Sequence, residues 1–335
     1  MSSLITCQAG YEDLLTKELA DGGARVINRG PGWALAEQAP DELAFAHLIL
    51  SDAVEVRGDS VNALAQGIAE ILLTSLKGER IEAAWSCVFD GPAELVGLGR
   101  RIGAVENAFG ELLKKRLSRV AKLATTELPR GVGETRGLFV WFTDFGVAQV
   151  ARTIRTNGPR RMADDDLAPS RSYLKVEEAY VVLGIEPTEG EAVVDLGAAP
   201  GGWSYSAAKR GAQVIAIDNG PLKGGALNHP RIEHRREDAF RYAPPAGVVH
   251  NWLFCDMVEE PHHVMQHIVE PWLSRGWCRN FVVNLKFGRV NPIALLRELR
   301  APGSPLRRFA PDVRIRHLYH DREEFTLTGR VKPAE

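Results

Sequence analysis

A chain of 335 residues, 45% apolar and 25% charged, is long enough for two domains and has the balance of an ordinary globular protein. Its net charge of −2 excludes a surface coated in positive potential, although a local basic face for nucleic acid remains open. No apolar run reaches the roughly 18 residues of a membrane span, and residues 1–14 lack the basic-then-apolar order of a secretory signal. Cys7, Cys87, Cys255 and Cys278 lie far apart and read as reduced thiols of a cytoplasmic protein. In chain order, residues 11–20 predict an amphipathic helix, 24–27 and 33–36 short strands, and 61–76 a second helix. A third helix, 104–123, carries Lys114, Lys115, Arg116, Arg119 and Lys122. Residues 138–143 and 147–154 predict paired strands joined at Asp144-Phe145-Gly146. The mixture implies an α+β domain. Residues 157–166 then combine turn formers and charge without apolar period, and the boundary is placed there, giving domains 1–160 and 161–335.

The second half is more regular. Helices are expected over 173–183, 203–210, 261–275 and 292–300, and strands over 192–196, 213–218, 232–236, 248–255 and 280–285. A closing pair of strands follows over 313–319 and 323–328. Alternation of strands and helices predicts a doubly wound, mostly parallel sheet, and the final hairpin supplies one antiparallel strand. In such a sheet a ligand lies beyond the carboxyl ends of the strands. Asp195, Asp218, Asp256 and Lys286 all stand there.

The run Val193-Val194-Asp195-Leu196-Gly197-Ala198-Ala199-Pro200-Gly201-Gly202-Trp203 reads as a buried strand breaking into a glycine-rich turn that opens a helix. Glycine lets backbone N–H groups approach a nucleoside-bearing cofactor. The spacing is D-x-G-x-x-P-G-G, not the dinucleotide fingerprint G-x-G-x-x-G, so S-adenosylmethionine (SAM) is favoured over NAD. Gly197, Ala199, Pro200, Gly201 and Gly202 are the candidate cradle for its methionine part. Asp218, 21 positions after Gly197, is placed to accept the ribose hydroxyls, and Asp238 to accept from the adenine amino group.

A second constellation comprises Lys175, Asp256, Lys286 and a glutamate within Asp321-Arg322-Glu323-Glu324, each on a different element. A ribose 2′-hydroxyl is a very weak acid, so methyl transfer to its oxygen needs a base and a positive field. Two mutually repelling lysines can supply both, one with a lowered pKa accepting the proton and the other staying charged. Strand alternation puts Glu323 on the face of Phe325, which prefers Glu323 over Glu324. His262, His263 and His267 lack the intervening glutamate of a metalloprotease, and no metal site is read there.

Ser170-Arg171-Ser172-Tyr173-Leu174-Lys175, Asp195-Leu196-Gly197-Ala198-Ala199-Pro200-Gly201-Gly202-Trp203, Asp256-Met257-Val258, Asn284-Leu285-Lys286 and Asp321-Arg322-Glu323-Glu324 resemble the FtsJ-like ribose 2′-O-methyltransferases, strongly over residues 169–330. The resemblance implies a Rossmann-like SAM methyltransferase domain with a Lys-Asp-Lys-Glu tetrad. Lys286 would be the proton acceptor, completed by Lys175, Asp256 and Glu323, and Ser172, Asp218, Asp238 and Asp256 would contact SAM. A looser similarity around Cys7-Gln8-Ala9-Gly10-Tyr11-Glu12 implies an N-terminal THUMP-like RNA-binding domain, divisible into two subdomains, and a cytidine ribose of 23S rRNA as target. Large-subunit rRNA is thus the expected partner of a monomer that does not meet a membrane. After Lys286 the chain reads Phe287-Gly288-Arg289-Val290-Asn291-Pro292, less basic than the family pattern, which puts the substrate-side loop in question.

Arg152, Arg155, Arg160, Arg161 and Arg171, with the basic helix, form the expected phosphate track. Two other readings are a methyltransferase for a small molecule or a protein, and a non-catalytic SAM-binding RNA assembly factor. The tetrad speaks against both, since amine methylation does not need it and a retired enzyme need not keep it.

Overall fold

In a computed structural model describing residues 2–76 and 78–333, the chain divides between Asn157 and Gly158 into two units. The N-terminal unit runs β1 (Ser2–Thr6), α1 (Glu12–Asp21), β2 (Arg25–Gly30), β3 (Trp33–Glu37), β4 (Leu48–Ser51), β5 (Val54–Arg57), α2 (Val61–Ser75), β6 (Trp85–Asp90), α3 (Leu98–Arg116), α4 (Ser118–Leu123), β7 (Ala124–Thr125), β8 (Val132–Asp144) and β9 (Val147–Asn157). One mixed sheet takes the order β2-β3-β1-β4-β9-β8-β6-β7, with β5 paired to β9. Leu98, Ile102, Val105, Phe109 and Leu113 recur at the three-to-four spacing that lines one face of α3. That face and the Leu64, Ile68 and Leu72 face of α2 pack with Cys87, Leu138, Val140 and Phe142 of the sheet. The single helix expected over 104–123 is two, because Leu117 leaves the helical region at φ −142° and α4 starts afresh. The Trp85 indole N–H, donating to the Val120 carbonyl at 2.9 Å, ties α4 back to β6.

The C-terminal unit runs α5 (Tyr173–Leu183), β10 (Ala192–Leu196), α6 (Gly202–Lys209), β11 (Gln213–Ile217), β12 (Ile232–Arg235), β13 (His250–Cys255), α7 (Pro261–Val264), α8 (Glu270–Ser274), β14 (Cys278–Lys286), α9 (Pro292–Arg300), α10 (Pro305–Phe309), β15 (Arg314–Arg316) and β16 (Glu324–Arg330). Its seven strands take the order β12-β11-β10-β13-β14-β16-β15. The first five are mutually parallel, and β16 runs antiparallel between β14 and β15. Residues Val193–Leu196, Trp252–Cys255 and Phe281–Leu285 are buried without alternation, as strands covered on both faces must be. The winding reverses between β10 and β13, so the crevice falls at their carboxyl ends.

The helix expected over 261–275 is interrupted by a π-helical stretch, Met265–Val269, between α7 and α8. Pro271 cannot donate to the carbonyl four residues back and its ring crowds that oxygen, so the preceding turn widens. No helix among the described residues is long and apolar enough to cross a membrane.

Candidate active site

The turn after β10 is shaped by glycines at left-handed positions. Gly197 has φ +75°, and a Cβ there would stand 2.3 Å from Met257 Cγ. Gly201 has φ +106°, and a Cβ would stand 2.5 Å from the Cβ of Ala226. The left-handed backbone favours glycine at both positions, and at Gly201 the Ala226 wall adds to it. The Lys223 N–H donates to Pro200 O at 2.9 Å and Gly201 N–H to Ala198 O at 2.6 Å, which holds the turn open at the edge of the sheet. Gly202 begins α6, against Ser172 and Ser170, whose hydroxyls are 2.7 Å apart. The carbonyl of Ser172 accepts the Trp203 indole N–H at 2.9 Å, so the start of α5 is fastened to the start of α6.

Asp218, just past the end of β11, accepts the Ala199 N–H at 3.0 Å on one carboxylate oxygen and the Gly220 N–H at 2.7 Å on the other. Each oxygen keeps lone pairs for further donors, which suits a vicinal pair of ribose hydroxyls. Asp238 is exposed beyond β12, accepting the Phe240 N–H at 2.9 Å and facing Arg241 at 3.4 Å. Asp195 is engaged by α6 rather than left open to a ligand. It is buried and takes the Ser204 hydroxyl at 2.6 Å, and burial lifts its carboxyl to about 7, with the charges of Asp256 and Asp218 adding. Its work is to brace α6.

Four charged side chains meet beside this turn. Lys175 Nζ stands 2.6 Å from Glu324 Oε1 and 3.5 Å from Asp256 Oδ2. Lys286 Nζ stands 2.5 Å from Asp256 Oδ1 and also contacts Glu324 Oε2. Two cations and two anions thus alternate around a ring drawn from α5, the loop after β13, the end of β14 and the start of β16. Burial works against the charge on Lys286, but the carboxylates of Asp256 and Glu324 outweigh it and hold the ammonium above its ordinary value. Burial also works against ionised Glu324, and the two lysines reverse the balance, holding its carboxyl below the usual range. The expected lowering of one lysine by the other does not appear at Lys286, because the Asp256 and Glu324 carboxylates both contact its amine and dominate its surroundings.

Glu323, the expected fourth member, is a correction. It is exposed, while Glu324 is only 3% exposed and lies in register opposite Lys286. The alternation argument failed for two reasons. Glu323 precedes the strand, and β16 is flanked on both sides by strands and buried on both faces, so the burial of Phe325 says nothing about which face is inner.

The parts played by three further residues escaped the sequence reading, which quoted Asn284 only within a motif. Asn284, two positions before Lys286 on the same strand face, donates to Asp256 Oδ1 at 3.1 Å, and Thr326 donates to Asn284 Oδ1 at 2.6 Å. Glu178, fully buried on α5, accepts the N–H groups of Arg160, Tyr319 and His320 at 2.8, 2.7 and 3.1 Å. A glutamate inside an otherwise apolar helix face was the available signal. Of the expected phosphate track, Arg152 and Arg155 are instead engaged by Glu79 and Asp41 within the N-terminal unit. Arg161 lies over the Tyr319 ring at 5.0 Å, while Arg171 is exposed.

This order of strands, with a glycine-rich turn at the switch point, is that of the Rossmann-like methyltransferase fold, and residues 168–287 match the FtsJ-like methyltransferase family. The ribosomal RNA large subunit methyltransferase M of Marinomonas sp. (strain MWYL1) is 42% identical over 189 residues, covering 52% of each chain. That of Haemophilus influenzae (strain KW20 / Rd) is 40% identical over 175 residues, covering 50% of this chain and 48% of the relative. In these two alignments the chain spans about half the length of the curated relative. The protein of the same name from Actinobacillus pleuropneumoniae serotype 3 (strain JL03) is 30% identical over 357 aligned positions, covering 96% of both chains. The chain belongs to the family of ribosomal RNA large subunit methyltransferase M, within the FtsJ-like methyltransferases. Among solved structures, the METTL16 methyltransferase domain has a TM-score of 0.36 at 13% identity, covering 53% of this chain and 75% of that chain, too distant a likeness to carry weight.

Proposed function

We propose that the chain methylates a ribose 2′-hydroxyl of large-subunit ribosomal RNA, a cytidine of 23S rRNA, using SAM. The observation that carries the reading is the closed ring of Lys175, Asp256, Lys286 and Glu324 beside the Gly197–Gly202 turn. SAM supplies an electrophilic methyl group on a cationic sulfonium. The turn residues Ala199, Pro200, Gly201 and Gly202 would hold its methionine part, with Ser172 and Asp256 alongside. Asp218 would accept from the ribose and Asp238 from the adenine.

The protein's task is then at the 2′-oxygen. There the oxygen would take the methyl group as the S–CH₃ bond breaks and its electron pair returns to sulfur, leaving a neutral thioether, while the O–H proton would pass to Lys286. That amine must first have released its own proton, which the ion pairs with Asp256 and Glu324 oppose by holding the ammonium above its ordinary pKa. Lys175 remains a cation and stabilises negative charge building on the oxygen, and Asp256 and Glu324 hold both amines in place. Positioning the hydroxyl in line with the methyl group contributes much of the rate.

The N-terminal unit is read as a THUMP-like RNA-binding domain. Lys115, Arg116, Arg119 and Lys122, exposed on α3 and α4, are its candidate phosphate contacts. An rRNA substrate supports reading the enzyme as cytoplasmic, and the chain is read as acting as a monomer. The test is transfer of label from methyl-labelled SAM to rRNA from cells lacking the gene, with the modified nucleotide mapped. Wild-type protein transfers one ribose methyl, and Lys286→Ala transfers none while still binding SAM. Full transfer by the variant overturns the reading.

A further inference from the structure

Beneath the charged ring lies a second cross-strand pair. In the β14–β16 register Lys286 faces Glu324, and two residues earlier on the same face Asn284 faces Thr326. Asn284 and Thr326 are both completely buried. Asp256 Oδ1 receives two donors, Lys286 Nζ at 2.5 Å and Asn284 Nδ2 at 3.1 Å. An ionised carboxylate offers only acceptors, so the Asn284 amide must present its NH₂ to Asp256 and turn its oxygen away. There the Thr326 hydroxyl donates to it at 2.6 Å.

A hydroxyl has one proton to give. Thr326 Oγ1 also lies 3.2 and 3.0 Å from the two oxygens of Asp321, and Asp321 itself is buried, taking the Leu318 N–H at 2.8 Å. With its proton committed to Asn284, Thr326 is satisfied on the other side only if Asp321 donates to it as a neutral carboxyl. Burial, reinforced by the charge on Glu324, pushes Asp321 well above the ordinary carboxylate range, which is the required state. The donors then run one way, from Asp321 through Thr326 and Asn284 to Asp256.

The geometry points to Asn284 and Thr326 as positioning residues that fix the Asp256 carboxylate, and through it Lys286, for methyl transfer. Neither side chain touches the space beside the turn; both act through Asp256. The inference rests on the ribose-methyltransferase reading. A buried polar pair that merely filled space between two strands would be replaced by an isosteric apolar residue without kinetic consequence.

The experiment is single-turnover methylation of rRNA by wild type, Thr326→Val, Thr326→Ser and Asp256→Asn, alone and with Thr326→Val added. Thr326→Val has nearly the same shape and lacks only the hydroxyl. We expect its transfer rate to fall about tenfold, the scale of one hydrogen bond, with SAM affinity and KM for rRNA unchanged and with Thr326→Ser restoring the rate. In the Asp256→Asn background the same substitution costs nothing further, since the path it acts through is gone. A wild-type rate in Thr326→Val, or an equal loss in both backgrounds, overturns the proposal. If wild type transfers no methyl to rRNA, the methyltransferase reading falls separately. The network is then decided by the side-chain amide resonances of Asn284, which shift and exchange faster in Thr326→Val if the hydroxyl holds the amide; unchanged resonances overturn it.

Discussion

Glu324 stands directly opposite Lys286 across the antiparallel β14–β16 pair, and its carboxylate reaches past that partner to Lys175, 2.6 Å away on α5. One acid therefore ties a strand to a helix that enters the site from another part of the chain. Asp256 does the same from the loop after β13. The ring is electrically balanced, and removing any one member leaves a half-buried charge without its counter-ion, a costly state.

That balance separates the two neighbouring glutamates. Glu324→Gln should lower the rRNA methylation rate about a hundredfold or more, because it frees both amines from their orientation. Glu323→Gln should leave the rate at the wild-type level, since Glu323 is exposed and outside the ring. Single-turnover assays of the two variants decide it, and the reverse ranking would restore the alternation argument.

The charge state of Lys286 fixes the pH dependence of the reaction. Its ammonium is held above its ordinary value by Asp256 and Glu324 against the opposing effect of burial. A base must be deprotonated to act, so activity should rise with pH, by about a factor of ten per pH unit below the lysine pKa. The profile of kcat/KM between pH 7 and 9 checks this. Lys286→Arg should be both slow and pH-independent there, because a guanidinium does not deprotonate. A flat wild-type profile would assign the proton to another acceptor.

How much of this was legible beforehand follows from the local chemistry of each segment. The placement of the glycine-rich turn, Asp218, Asp256 and Lys286 was readable because apolar strands ending in polar residues mark one edge of a parallel sheet. Period 3.6 on α3 was equally visible, yet its end at Arg116 was not, since nothing in Lys114-Lys115-Arg116-Leu117-Ser118 breaks a helix by propensity alone. Glu324 was missed because alternation informs only where one face meets water, and β16 has none. The Asn284–Thr326 pair needed the register of two strands that are 42 residues apart. Pro271, inside the helix expected over 261–275, was the available signal for the widened turn before it.

Buried groups around the site also set the acid limit of the fold. His317 is completely buried, donates toward the Arg322 carbonyl at 2.8 Å, and burial pushes its imidazole down to about 4. The native state keeps it neutral while the unfolded chain protonates near pH 6.5. Its contribution is therefore fully present above pH 6.5 and lost as pH falls toward 4, about 2 kcal/mol by pH 5. Glu324, held low, contributes in the same direction, its share being lost as pH falls below the ordinary carboxylate value. Glu178, pushed up to about 8 by burial against its three N–H donors, works oppositely and disfavours the fold as pH rises from about 4.5 to 8. Urea unfolding at pH 7 and pH 5 should show a smaller acid loss in His317→Gln than in wild type. Equal losses would place the acid sensitivity elsewhere.

The two left-handed glycines of the turn should not be equally replaceable. An added methyl at Gly197 meets the γ-carbon of Met257, an unbranched side chain that can swing away, and the remaining cost is the positive φ, about 1–2 kcal/mol. At Gly201 it meets the Cβ of Ala226, which moves only with its backbone. Gly201→Ala should therefore lower the melting temperature and SAM affinity more than Gly197→Ala, and Ala226→Gly should recover part of the loss in Gly201→Ala by removing the clash while the φ strain stays. Asp218→Asn provides the contrast. It keeps an acceptor for the Ala199 N–H while turning an amide NH₂ toward the Gly220 N–H, and it should weaken SAM about tenfold or more by replacing one acceptor oxygen with a donor. Calorimetric titration of the variants separates the outcomes. Equal SAM binding by Asp218→Asn and wild type would move the ribose away from the end of β11.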